Sequence, residues 1–149
     1  GLRRRPAYHR VVATKRSART PSGRPLRSVA VVNQKGGVGK TAVVLGLAMA
    51  ARRAGHRALV VDLDPQGSAT WCLGVDADDG YWTSADVLEE PNEETARNAL
   101  VTSGWGDEVD VVAASAGLVR EDGGDPLGKV ELLAPVLGAL AADYDLVVI

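Results

Sequence analysis

Apolar residues fall along this chain in two patterns. Short, nearly unbroken runs of Val, Leu and Ala occur near residues 29–32, 58–61, 109–114 and 146–149. Runs of four to six with β-branched residues read as strands buried on both faces. They predict strands at 28–33, 57–62 and 109–114, and a further strand in the closing run, which begins after Asp143-Tyr144-Asp145. Longer segments carry apolar residues at helical spacing. Residues 42–54 contain no Pro, and Gly46 is their one weak helix former, which predicts a helix over 39–54. Arg52 and Arg53 in its last turn and Gly55 just beyond suit a helix C-terminus. The stripe Val43, Leu47, Ala50 and Ala54 is expected to face the sheet. A second amphipathic helix is predicted over 129–142, with Val130, Leu133, Leu137 and Leu140 on its core face. Between these lie a loop over 68–79 with a helical piece at 69–73, a short helix capped at Thr83 or Ser84 and stopped by Pro91, and another short helix over 93–100. A loop over 115–125 follows the third strand. Strands alternating with helices predict a mostly parallel α/β sheet flanked by helices.

Composition agrees and narrows the core. The 149 residues are 46% hydrophobic but 4% aromatic, with no Phe, so the core must be Val, Leu and Ala. The length allows at most one ordinary domain. A single cysteine, Cys72, excludes a disulfide framework and a four-cysteine zinc site. No apolar run reaches the length of a membrane span, and the N-terminus has no apolar signal core. A cytoplasmic protein is expected.

Charge divides the chain. Residues 1–27 hold nine Lys and Arg and no acid, leaving eight basic and all 19 acidic residues, a net charge of −11, for 28–149. The first segment is expected to be a disordered basic arm, attracted to nucleic-acid phosphates or of no consequence. Asp76, Asp78 and Asp79 lack the spacing and closing Glu of a calcium loop and are expected to be a solvated turn.

The chemistry concentrates after the first strand, in Asn33-Gln34-Lys35-Gly36-Gly37-Val38-Gly39-Lys40-Thr41. A glycine loop between a strand and a helix lets backbone N–H groups wrap a phosphate, and the helix N-terminus adds its positive dipole end. Lys40 is placed to reach the β- and γ-phosphates and Thr41 to hold Mg²⁺. The usual first glycine of a phosphate-binding loop is Gln34 here, and an extra lysine, Lys35, precedes the glycine pair. The second strand ends in Asp62-Leu63-Asp64-Pro65-Gln66-Gly67. Carboxylates at the carboxyl end of a parallel strand suit two tasks, holding Mg²⁺ through its waters and orienting an attacking water. The competing reading is that one of them caps the following turn.

Lys35-Gly36-Gly37-Val38-Gly39-Lys40-Thr41 together with Asp62-Leu63-Asp64-Pro65-Gln66-Gly67 resembles the ParA family of deviant Walker-A ATPases, which segregate chromosomes and plasmids. The resemblance implies a P-loop NTPase-type sheet and a nucleotide site lined by Lys35, Gly36, Gly37, Val38, Gly39, Lys40, Thr41 and Ala42. It implies Mg²⁺ at Thr41 and Asp62, and Lys35, Lys40 and Asp64 as catalytic groups; the roles of Asp62 and Asp64 are interchangeable at this level. Residues 65–67 would sense the γ-phosphate. Ala42 stands where the family usually has a second hydroxyl, which removes one α-phosphate contact. The resemblance further implies an ATP-dependent homodimer in which Lys35 reaches the partner's nucleotide. It also implies non-specific DNA binding, a ParB-type partner and a nucleoid-associated location. The final run looks like the start of a Walker-B strand whose Asp would come next, so the chain is expected to be the N-terminal part of the ATPase domain, inactive by itself. Two alternatives share the loop: a MinD-like membrane-associated ATPase or a metabolic relative, and a nucleotide binder without turnover.

Overall fold

The computed structural model describes residues 27–33, 35–118 and 131–149. The arm over 1–26, Gln34, residues 119–125 of the predicted loop, and Lys129 and Val130 lie outside the described residues. Five strands form one sheet in the order β1-β5-β2-β4-β3. These are β1 (Arg27–Val29), β2 (Ala58–Val61), β3 (Leu100–Thr102), β4 (Val109–Val112) and β5 (Leu146–Val148). The first, second, fourth and fifth run parallel, and β3 pairs antiparallel with β4. The mostly parallel sheet flanked by helices is therefore the observed architecture.

Alternation along the central strands sends side chains to two cores. On one face Leu59, Val61, Val112 and Val147 pack with Val87 and Leu88 of α3 (Ser84–Glu89), Ala96 of α4 (Glu93–Asn98), and Leu133, Val136 and Leu140 of α5 (Leu133–Leu140). On the other, Val60, Val109, Val111 and Val148 pack with Val44 and Ala48 of α1 (Lys40–Arg53) and Ala69 of α2 (Ser68–Cys72). Strands covered on both faces need apolar residues at every position, which is why β2 reads Ala-Leu-Val-Val without alternation. Each buried Val or Leu contributes about 1.5–3 kcal/mol, and truncating the fully buried Leu59 to Ala would cost about 2–5 kcal/mol.

Asp110 is the exception within β4. It is buried on the α3–α5 face and accepts hydrogen bonds from the Tyr144 hydroxyl at 2.6 Å and the Arg57 guanidinium at 3.4 Å. Arg57 also lies 5.0 Å over the Tyr144 ring. This network ties the amino ends of β2, β4 and β5 together, opposite the end that carries the candidate site.

Four expectations change. Helix α1 is where the pattern placed it, and Leu47 of the expected stripe packs against the sheet core, but Val44 and Ala48 are the residues buried there, Ala51 is buried as well, and Val43 is 51% exposed with Ala50 and Ala54 exposed. The helix is apolar on nearly all sides between Ala42 and Ala51, so periodicity did not select the stripe that packing uses. Second, β1 spans three residues, although the bonds Val31 N–H to Ile149 O (2.7 Å) and Ile149 N–H to Val29 O (2.9 Å) carry the pairing further. Third, the helix predicted to Leu100 ends at Asn98, and Leu100–Thr102 form the antiparallel edge strand β3. Fourth, α5 begins at Leu133, which puts Pro135 in the first turn, where no backbone N–H is required. Leu133 and Leu140 are buried as expected, with Val136 beside them and Leu137 partly buried.

Candidate functional site

The parallel strands deliver their carboxyl ends to one edge of the sheet. Residues 30–33 and 35–39 follow β1 there, residues 62–67 follow β2, and residues 113–118 follow β4. The glycine loop and the aspartate pair thus share an edge, as the sequence implied. They are not on adjacent strands, because β5 lies between β1 and β2. Helix α1 bridges the gap by leaving the glycine loop and packing across β5 and β2.

The glycine loop is shaped by its backbone. Gly39 is the N-cap of α1 at φ 89°, and Gly37 has φ 72°. A Cβ at Gly36, Gly37 or Gly39 would meet nothing within 4 Å, so conformation rather than crowding demands glycine at 37 and 39. Gly36 is under neither constraint, and its reason must be sought in what approaches the loop. Residues 35–39 are all exposed, and Lys40 and Thr41 are half-buried. The Lys35 N–H donates to Asn33 Oδ1 at 2.9 Å, which closes a local turn before the glycines. Among the described residues no side chain caps α1, so the dipole end of a 14-residue helix opens onto the loop. Val38 is 45% exposed beside these donors, and Ala42 is exposed in the first turn.

The acidic corner is built differently. Asp62 is 5% exposed, and its carboxylate accepts three hydrogen bonds: Asp64 N–H to Oδ1 at 3.0 Å, Thr70 N–H to Oδ2 at 2.9 Å and Thr70 O–H to Oδ2 at 2.8 Å. Asp64 is half-buried and accepts from Gln66 N–H at Oδ1 (3.0 Å) and from Gly67 N–H at its carbonyl (2.8 Å). Both aspartates therefore hold the turn over 64–67, and the capping role weighed against a chemical one is real for the pair. It does not exhaust them, since ionised carboxylates carry about four acceptor sites each.

Several neighbours were not tied to this site by the sequence, which marked Thr83 or Ser84 only as a helix cap. Ser84 donates its hydroxyl to the Asp62 carbonyl at 2.7 Å, and its N–H donates to Ala113 O at 2.8 Å. Thr70 Oγ1 accepts from Ala114 N–H at 3.0 Å. Thr83 forms a capping box with Asp86 and lies 3.1 Å from Ser115 Oγ. The capping box was legible as Thr-x-x-Asp before an apolar pair. The contacts of Thr70 and Ser84 join residues 44 and 29 positions apart and leave no local signal.

A Mg²⁺ ion fits the oxygen donors offered by Thr41 and Asp62, which are the hard ligands it takes together with phosphate and water. Among the described residues no group of three His, Cys, Asp or Glu side chains could hold a metal by itself. A triphosphate fits the exposed N–H groups of a loop whose glycines leave the approach open.

Comparison with known proteins places these features. A family model described as an AAA domain matches residues 26–149. The chromosome-partitioning ATPase Soj of Thermus thermophilus is 54% identical over 57 residues, 38% of this chain and 23% of that protein. The chromosome partitioning protein ParA of Myxococcus xanthus is 34% identical over 130 residues, covering 83% of this chain and 43% of its own length. Among solved structures, cobyrinic acid a,c-diamide synthase from Mycobacterium smegmatis with bound ADP and magnesium superposes with a TM-score of 0.70 at 35% identity, over 83% of this chain and 49% of that one. A plasmid partition protein from Borrelia burgdorferi superposes with a TM-score of 0.67 at 22% identity, over 83% of this chain and 54% of that one, which is a likeness of fold. The chain spans less than half the length of the two curated relatives.

Proposed function

The chain belongs to the ParA family of AAA-domain proteins, and on that premise we propose that it forms the phosphate- and magnesium-binding part of a partitioning ATPase. The observation that carries this reading is the pairing, at one sheet edge, of an uncapped helix start behind Gly37 and Gly39 with the buried carboxylate of Asp62. When bound, MgATP supplies the reacting phosphoryl group and the charge that polarises it. Lys40 binds the β- and γ-phosphates, and the N–H groups from Gly36 to Ala42 cradle the rest. Thr41 and Asp62 hold the ion, and Asp64 orients the attacking water and accepts its proton. Lys35 reaches the nucleotide of a second subunit and offsets charge developing in the transition state. Its exposure supports that role, as does the short turn that presents it. Lys35→Ala should leave nucleotide affinity intact and abolish ATP-dependent dimers in sedimentation; normal dimers in that variant would remove the sandwich arrangement.

The relatives are named for chromosome and plasmid partitioning; from the family resemblance we infer the wider activity, an ATP-dependent homodimer that holds non-specific DNA and meets a ParB-type partner, at the nucleoid in the cytoplasm. Retention of the full-length protein on non-specific DNA, with ATP against ADP and across a salt series, tests it. Retention that needs ATP and falls steeply with salt is expected. Retention indifferent to nucleotide would reduce DNA binding to the basic segment over 1–27. The 35% identity to a protein named as a diamide synthase keeps a metabolic reading in view. Absence of DNA binding would favour that reading or a MinD-like one, although among the described residues no helix is long and apolar enough to cross a membrane.

A further inference from the structure

The residue that organises the acidic corner is not one of its acids. Thr70 is 3% exposed, in the first turn of α2, and it meets two elements at once. Its hydroxyl oxygen accepts the Ala114 N–H at 3.0 Å, just past β4. Its hydroxyl proton goes to Asp62 Oδ2 at 2.8 Å, and its own N–H reaches the same oxygen at 2.9 Å. A hydroxyl has one proton to give. With Ala114 occupying an acceptor site, the direction of that proton is set, and the carboxylate cannot rotate without losing two bonds. Oδ1 is engaged in turn by the Asp64 N–H at 3.0 Å. Three of about four acceptor sites on Asp62 are therefore filled, which leaves room for about one further donor, such as a metal-bound water.

We propose that Thr70 is a positioning residue of the nucleotide site: through Asp62 Oδ2 it fixes the direction of the remaining acceptor site, and through the Asp62–Asp64 bond it fixes where Asp64 starts. The proposal rests on the assignment of Asp62 to the magnesium ion. It gives Asp62 a single oriented contact to the ion's water shell rather than a two-oxygen grip. It also links the turn over 64–67 to the tip of β4 through Thr70 and Asp62.

The test compares Thr70→Val, which keeps shape and removes the hydroxyl, with Thr70→Ser, which keeps the hydroxyl. Affinity of the full-length protein for a non-hydrolysable ATP analogue is measured with Mg²⁺ and again with EDTA, alongside the melting temperature of the nucleotide-free protein. The ratio of the two affinities reports the magnesium contribution alone. Thr70→Val should lower that ratio about tenfold, the size of one hydrogen bond to a charged group, with the EDTA affinity unchanged. Thr70→Ser should restore the ratio to within about threefold of the original. A purely structural role would lower the melting temperature and leave the ratio alone, and that result overturns the proposal while the site assignment stands. Absence of any magnesium dependence in the unmodified protein overturns the assignment and the proposal together. Should Thr70→Val fail to fold, Thr70→Ala, which leaves space for a water, is read by the same ratio.

Discussion

The two arms of the candidate site are built on opposite principles. The arm from Asn33 to Thr41 is exposed over residues 35–39, shaped by left-handed glycines, and begins a helix with no side-chain cap among the described residues. The arm over 62–70 starts at a buried carboxylate already bonded to Asp64 and Thr70, with Ser84 holding the carbonyl behind it. One offers donors; the other has used most of its acceptors internally. Backbone N–H groups left facing solvent are what a polyanion needs, and their organisation can be completed by the ligand. A carboxylate that must present one oxygen to a cation's water shell gains from being fixed beforehand. The side chains of the first arm should therefore report on binding and barely on stability, its left-handed glycines excepted, whereas the second arm should report on both.

The largest expected effect is on binding alone. Lys40→Ala should lower affinity for a triphosphate by about a hundredfold or more, the scale of lost charge-assisted bonds. Its melting temperature should stay close to that of the unaltered protein, since Lys40 is a half-buried residue at the start of α1 and not one of its buried residues. Calorimetric titration and thermal melting check the two halves. Asp62→Ala should do what Lys40→Ala does not. It strands the Asp64 N–H and both Thr70 donors, costing about 3 kcal/mol of stability on the scale of buried unpaired donors, and removes the magnesium dependence of binding; chemical denaturation checks the first effect. Equal stability of the two variants would erase the distinction between the arms.

Gly39→Ala sharpens it from the other side. At φ 89° a side chain costs about 1–2 kcal/mol although nothing crowds it. Denaturation should show that loss without a change in the cores, and triphosphate affinity should fall with it. The smallest effect is far from both arms. Arg97 donates to Glu93 at 2.8 Å and Asp143 at 2.9 Å, joining α4 to the turn after α5. The hydrogen bond to Asp143, then that to Glu93, raises the Arg97 guanidinium above its ordinary range. Its folded value thus exceeds its unfolded one, so its contribution is fully present at lower pH and is lost only as pH climbs past strongly alkaline values. Between roughly pH 6 and pH 9, Arg97→Ala should cost about 0.2–1 kcal/mol by denaturation, independent of pH, and less at high salt.

Much of this was readable in the residues, and the misreadings have physical causes. Apolar runs at 58–61 and 109–112 are strands because both faces are covered, and the glycine loop and aspartates sit where such strands end. The face of α1 was misread because apolar side chains surround it, so only the neighbours decide. Strand β3 escaped notice because Leu100-Val101-Thr102 is three residues long and continues the preceding helix pattern. Thr70 carries no mark in the sequence: its partner at Ala114 is brought near by the pairing of β2 with β4, a fact of topology rather than of spacing.

The most direct test of the two-armed site is titration of the full-length protein with a non-hydrolysable ATP analogue, with and without Mg²⁺, beside Lys40→Ala and Asp62→Asn. Binding that strengthens with Mg²⁺, disappears in Lys40→Ala, and persists without magnesium dependence in Asp62→Asn is the predicted result. Binding that is absent, or unchanged by both substitutions, would contradict the assignment of these arms to one nucleotide–magnesium site.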